Sequence, residues 1–154
     1  MKNKINYIEG DATEPVGPGL KIIIHICNDI GAWGAGFVLA LSNKWAEPEA
    51  QYRALEKWTL GDVHFVRVDE NTIIANMIAQ EGIGPDDNGR PPIRYTALRK
   101  ALYQVDYYAW MNHEHNTSIH MPRIGCGLAG GRWELVEELI QDTVECPVTV
   151  YDFN

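Results

Sequence analysis

Hydrophobic positions along this chain follow two rhythms. Nearly unbroken apolar runs rich in Ile and Val occupy residues 21–27 (KIIIHIC), 63–68 (VHFVRV), 72–79 (TIIANMIA), 117–122 (TSIHMP) and 148–153 (VTVYDF). Each run predicts a strand, and the near absence of alternation predicts that several are covered on both faces. Between the runs the spacing is helical. In residues 94–112, Leu98, Leu102, Val105 and Ala109 recur at helical intervals, while Arg99, Lys100, Gln104 and Asp106 fall elsewhere. A second helix is predicted after Gly131, with Trp133, Val136, Ile140 and Val144 inside and Glu134, Glu137 and Glu138 outside, its early acids suiting the positive helix end. Residues 47–58, with Pro48 near the first turn, and residues 36–45 give two more helices. Strands alternating with helices of this length predict a layered α/β sandwich on a parallel or mixed sheet, with its site at the carboxyl ends of the strands.

Twice the pattern runs strand, glycine-rich loop, helix. The strand at 21–27 continues into NDIGAWGAG, and the strand at 117–122 continues into RIGCGLAGG. One such loop by itself is as well explained by a tight turn that needs positive φ. Two of them at one rim predict a site where backbone amides and helix N-termini meet a diphosphate.

Composition narrows the choices. At 154 residues, with 45% hydrophobic and 22% charged, the chain reads as one globular domain over residues 1–154. No window approaches the ~20 apolar residues of a membrane helix. The basic start of MKNKINYIEGDATEP lacks the apolar core of a secretory signal, so a cytoplasmic location is expected. Three cysteines, Cys27, Cys126 and Cys146, form no CxxC pair, which argues against a disulfide framework and a structural zinc site. A net charge of −8 argues against a nucleic-acid partner but leaves room for a small anion held by backbone amides.

Four quoted segments carry a resemblance over essentially the whole chain: EGDATEP, IIHICNDIGAWGAGFVLALSNKWAEPEAQY, MPRIGCGLAGGRWELVEELI and the terminal VTVYDF. Together they resemble a macrodomain, in the branch with terminal ADP-ribose protein glycohydrolases, DNA-directed macrodomain antitoxins and phosphatases of phosphorylated ADP-ribose. The resemblance implies a three-layer α/β/α fold around a mixed sheet and an ADP-ribose or mono-ADP-ribosylated protein ligand, with no metal or redox cofactor. It implies that Asp11 accepts from the adenine amino group with Ala12 alongside, and that Asn28 meets the ribose hydroxyls. Gly31, Ala32, Trp33, Gly34 and Gly36 of the first loop would lie near the distal ribose and diphosphate. Gly125, Cys126, Gly127, Leu128, Ala129 and Gly130 of the second would hold the diphosphate, and Tyr151 or Phe153 would lie against adenine.

The chain departs from the branch at two catalytic positions. Where its glycohydrolases place a nucleophilic lysine, this sequence has Gln80 and Glu81; where they place an aspartate after GCGL, it has Ala129. A lysine adduct is therefore excluded. Two accounts remain. One is a hydrolase of mono-ADP-ribosyl groups on acidic side chains, using water positioned by Asn28 and Gln80 and activated by the ligand's own diphosphate. The other is a reader that binds and does no chemistry. Phosphatase action on phosphorylated ADP-ribose is a third reading of the same pocket. The hydrolase is preferred.

Other reactive residues have plain explanations. Packing is preferred to a thiolate role for Cys27 and Cys126, and a hydrogen-bonded core role to general-base chemistry for His25. His113, His115 and His120 match no familiar zinc spacing and read as a solvated helix end. Surface exposure is the default for Asp29, Glu81, Asp86 and Asp87. Trp33 either covers the distal ribose or anchors its loop from beneath. Residues 80–94 form either a mobile wall, with Arg90 or Arg94 on a phosphate, or a plain connector.

Overall fold

The computed structural model describes residues 3–153. Six strands and four helices follow one another as β1 Ile5–Glu9, β2 Lys21–Asn28, α1 Phe37–Lys44, α2 Glu47–Arg53, β3 Val63–Asp69, β4 Thr72–Gln80, α3 Tyr95–Met111, β5 Ser118–Met121, α4 Trp133–Thr143 and β6 Val148–Asp152. The sheet order is β1-β6-β5-β2-β4-β3. All neighbours are parallel except the edge strand β3, which runs antiparallel to β4. The sheet is thus mixed, with its long parallel strands in the middle.

The two continuous apolar runs explain the layering. Every residue of β4 is buried, and β2 beside it is nearly so. Successive strand side chains point to opposite faces. Ile22, Ile24, Ala75 and Met77 meet Leu98, Leu102 and Val105 of α3 and Val136 and Ile140 of α4 in one core. Ile23, Cys27, Ile74 and Ile78 meet Leu41 of α1 and Tyr52 of α2 in the other. The result is a three-layer α/β/α sandwich. No helix among the described residues is long and apolar enough to cross a membrane.

Two elements differ from the sequence expectation. β1 is not visible in the hydrophobic pattern, because it is an edge strand in which only Ile5 is buried. The helix expected over residues 47–58 stops at Arg53, since the Trp58 indole N–H donates to the Tyr52 carbonyl (2.9 Å) and takes up a carbonyl at the helix end.

Two histidines are built into the core. His25 on β2 donates from Nε2 to Asn76 Oδ1 (2.5 Å), and burial pushes its pKa down to about 4. His120 on β5 is likewise buried, its Nδ1 hydrogen-bonded with Tyr151 Oη (2.7 Å) and its Nε2 with Ser118 Oγ (2.7 Å). Burial pushes it down to about 4 as well. His120 therefore does not belong to a solvated helix end, whereas His113 and His115 lie in an exposed 3-10 turn after α3.

This burial sets a pH dependence. Unfolded, each imidazole takes up a proton near its ordinary 6.5; folded, it does so only at about 4. The unfolded chain gains protons first, so stability falls as pH drops through that window, by at most about 3 kcal/mol per histidine. Urea midpoints measured at intervals from neutral pH down to mild acid should fall continuously, and His120→Gln should flatten the dependence; an unchanged slope would show that His120 titrates normally.

Candidate functional site

β1, β2, β4 and β5 are mutually parallel, so the loops that follow them, at residues 10–20, 29–36, 81–94 and 122–132, gather at one end of the sheet. From β2 the chain moves to one side to build β3 and β4, then crosses to the other side to build β5. A crevice at such a divergence is the expected place for a ligand in open α/β sheets. A cavity of about 560 Å³ opens there, lined by the end of β2, both glycine loops, Gln80 and Ile83.

The first loop is organised by Asn28. The pairing of β2 with β4 slips after Cys27, so that Asn28 stands opposite Gln80 at the cavity rim. Asn28 Oδ1 accepts from the amides of Ile30 (3.0 Å) and Ala32 (3.1 Å), while Nδ2 donates to the Ala32 carbonyl (2.8 Å). The Tyr52 hydroxyl stands 2.7 Å from the Asn28 carbonyl and 2.8 Å from Oδ1, with its one proton for either. The carboxamide thus folds its own loop while Asn28 lines the cavity, with the second Nδ2 hydrogen left over for a ligand. Trp33 settles as the anchor beneath that loop: it is 5% exposed, donates to Ser42 Oγ (2.8 Å) and packs its ring on His25 and Tyr52. It does not line the cavity.

The glycines have two different reasons. Gly31 and Gly125 have positive φ, and a Cβ on either would lie 2.5 Å from Trp58 or 2.7 Å from Ile93; they serve the turns. At Gly34 and Gly127 a Cβ would meet nothing within 4 Å. Those two line the cavity, so their bareness leaves backbone accessible. The loops approach each other across the opening, where a Cβ on Gly36 would lie 3.6 Å from Leu128 Cδ1.

The amides of Gly34, Ala35, Gly36, Gly127, Leu128 and Ala129 donate to no acceptor among the described residues. All six residues line the cavity. Gly36 opens α1 without any side-chain cap, so the free first turn of that helix, through Phe37 and Val38, faces the same space. An array of backbone amides without protein acceptors at the mouth of a cavity suits an anion.

At the far wall, Gln80 and Ala129 line the cavity, but Glu81 turns away to Arg94 (3.0 Å). No Asp or Glu among the described residues lines it; His25, Cys27 and Arg123 are its ionisable side chains. Burial raises the thiol pKa of Cys27 and of Cys126, so neither is a ready thiolate, and Cys126 is not part of the lining. Arg94 is occupied by Glu81 and by the carbonyls of Pro91 and Ile93 rather than reaching a phosphate. Asp29, expected at the surface, accepts the Gly82 amide (2.9 Å), while Gln80 Nε2 donates to the Gly82 carbonyl (2.9 Å). The segment after β4 is thereby pinned to the first loop at its start.

Further along the sheet, Asp11 Oδ1 accepts from the amide (2.9 Å) and hydroxyl (2.8 Å) of Thr13, and neither Asp11 nor the buried Ala12 lines the cavity. Gly31 and Gly130 also stand outside the lining. Tyr151 is 2% exposed, with its hydroxyl held between His120 and the Val16 amide, so its ring has no free face for adenine. Phe153, 77% exposed, is the available aromatic.

Arg123 was not singled out in the sequence. It lines the cavity, pairs in bidentate fashion with Asp152 (2.7 and 3.2 Å) and stacks between Tyr7 and Trp133 (5.2 and 5.3 Å to the ring centroids). Its signal was available, as a cation at a strand end directly before the second glycine loop. The clamp ties that loop to β1, β6 and α4.

Fold and site together define an α/β/α domain whose cavity is walled by two loops of free amides. No protein-family model matches the chain. A macrodomain protein from Streptomyces coelicolor is 46% identical over 98% of this chain and 100% of its own, with a TM-score of 0.82. The chain belongs to the macrodomain family. Among curated relatives, Mus musculus chromodomain-helicase-DNA-binding protein 1-like is 31% identical over 97% of this chain, which spans 18% of that protein's length. An ADP-ribose 1''-phosphate phosphatase of Candida albicans is 27% identical over 96% of this chain and 98% of its own, and the ADP-ribose glycohydrolase OARD1 of Bos taurus is 26% identical over 97% and 91%.

Asn28→Ala should leave the Ile30 and Ala32 amides without an acceptor and destabilise the protein by about 3 kcal/mol. Hydrogen exchange at those two amides should accelerate selectively. Unchanged exchange would mean that the loop holds without its carboxamide.

Proposed function

We propose that this macrodomain binds ADP-ribose in the cavity and hydrolyses mono-ADP-ribosyl groups from acidic side chains. The convergence of free amides from both loops on one cavity carries the reading. A diphosphate would satisfy donors that the fold leaves without partners, and the cavity volume falls within the ordinary range for small-molecule sites. Two relatives named for ADP-ribose chemistry, one a phosphatase and one a glycohydrolase, support the same ligand.

The chemistry proposed is substitution at the anomeric carbon. Water oxygen bonds to that carbon, the bond to the carboxylate oxygen breaks, and the water proton passes to the ligand's diphosphate. A carboxylate leaves readily, so positioning and charge stabilisation replace a strong base. Gln80 is the residue proposed to hold the water: one Nε2 hydrogen goes to the Gly82 carbonyl, which fixes the carboxamide, and its Oε1 is the acceptor for a water proton. Asn28 acts by shaping the first loop.

A second reading, a reader without activity, is favoured by the lack of an Asp or Glu among the described residues that line the cavity. Incubation with a glutamate-linked mono-ADP-ribosylated peptide separates the readings. Release of free ADP-ribose, strongly slowed in Gln80→Ala at unchanged ADP-ribose affinity, is the expected result. Binding without release would establish the reader, and phosphate release from ADP-ribose 1''-phosphate alone would establish a phosphatase.

Binding has its own test. Gly127→Glu places a carboxylate beside the proposed diphosphate, where a Cβ meets open space. Calorimetry should show ADP-ribose affinity lost while the thermal midpoint stays close to that of the parent; unchanged affinity would remove the second loop from the site.

A further inference from the structure

Behind the second glycine loop lies another cavity, of about 700 Å³. Arg90, Arg94, Lys100 and Arg132 line it, four of the thirteen Lys and Arg residues in a chain of net charge −8. No Asp or Glu among the described residues lines it. Concave surfaces lined by one sign of charge focus the local field. Like charges brought together also repel, so the cluster is poised for an anionic partner.

The neutralisation already present is weak. Arg132 and Glu134 pair at 2.7 Å with both side chains exposed, whereas Arg94, only 11% exposed, is held in the wall by Glu81 (3.0 Å) and two carbonyls and contributes its charge without being free to move. An exposed pair such as that of Arg132 and Glu134 contributes little. Arg90 forms no ion pair among the described residues, and the nearby Asp86 carboxylate accepts backbone amides of its own turn. Lys100 forms no ion pair among the described residues.

The position of this cavity is as telling as its charge. The Ile93 amide donates to the Ala129 carbonyl (3.1 Å), and a Cβ on Gly130 would lie 2.9 Å from Pro91. Ala129 lines the first cavity, while Gly130, Pro91 and Ile93 line the second. A partition about one residue thick separates them, on the side where Gln80 and Ala129 occupy the branch's two catalytic positions. A chain attached to a ligand at this end of the first cavity would pass directly beside the second.

We infer that the basic cavity docks an acidic polypeptide segment, the stretch of a modified target that flanks its ADP-ribosylated side chain. Guanidinium groups grip carboxylates in bidentate fashion, and Leu60 and Leu135 supply an apolar floor for the segment's backbone and side-chain stems. A short segment confined to the cavity samples the local positive field. A long phosphate backbone would extend over the acidic remainder of the surface and be repelled. The inference rests on the ADP-ribose reading only for what the segment is attached to.

Fluorescence anisotropy of a labelled Asp- and Glu-rich peptide with the full chain at low salt tests it, with ADP-ribose calorimetry on the same samples. Saturable binding is expected, weakened about tenfold by Lys100→Glu and similarly by Arg132→Glu, and weakened by added salt. ADP-ribose affinity of both variants should match the parent, which also shows that they are folded. Peptide binding that is absent, or indifferent to both reversals, would overturn the inference. So would equal affinity for a single-stranded oligonucleotide of the same charge. Failure of the parent to bind ADP-ribose would instead strike the preceding reading, leaving the peptide result to be judged on its own.

Discussion

A carboxamide buried at the end of one central strand holds the candidate site in shape. Asn28 satisfies the amides of Ile30 and Ala32 and the carbonyl of Ala32 within its own loop, and Tyr52 from α2 closes over it. With those groups paired internally, the amides of Gly34, Ala35 and Gly36 are left without protein acceptors in residues that line the cavity. The other wall is held differently. Arg123, fixed by Asp152 and flanked by two rings, anchors the start of the second loop, and the tight contacts around Gly125 and Gly131 fix its return. Both loops are rigidly based, which is what an array of preorganised donors requires.

The energetics of the interior favour this division of labour. Two faces of a central sheet are sealed by apolar side chains, and the buried polar residues that interrupt them are paired, His25 with Asn76 and His120 with Tyr151. Polar groups inside a fold are costly unless satisfied. No buried side-chain nitrogen or oxygen among the described residues lacks a partner. Donors without protein acceptors that line the cavity are instead backbone amides of the two loops.

The layers and the two loops were legible in the sequence because they depend on local signals: apolar runs for β2 and β4, helical spacing for α3 and α4, and glycines directly after two strands. β1 escaped because an edge strand with one buried residue leaves no pattern. The site was legible as a location but less so in its details. Asn28 ends β2 at the cavity, as the sequence implied, but its carboxamide also folds the first loop, and the Trp33 indole faces into the protein, arrangements set by Tyr52, Ser42 and His25 from other elements. Tyr151 was removed from the ligand side by contacts with His120 and Val16 that no spacing reveals. The basic cavity was invisible for the same reason, since Arg90, Lys100 and Arg132 belong to separate elements brought together only by packing.

The central claim is that backbone amides of the two glycine loops, rather than charged side chains, hold the ligand's diphosphate. It is tested most directly by titrating ADP-ribose into isotopically labelled protein and following amide resonances. The account predicts saturable downfield shifts concentrated at Gly34, Ala35, Gly36, Gly127, Leu128 and Ala129. Shifts confined to other segments, or saturation that leaves those six amides unmoved, would contradict it.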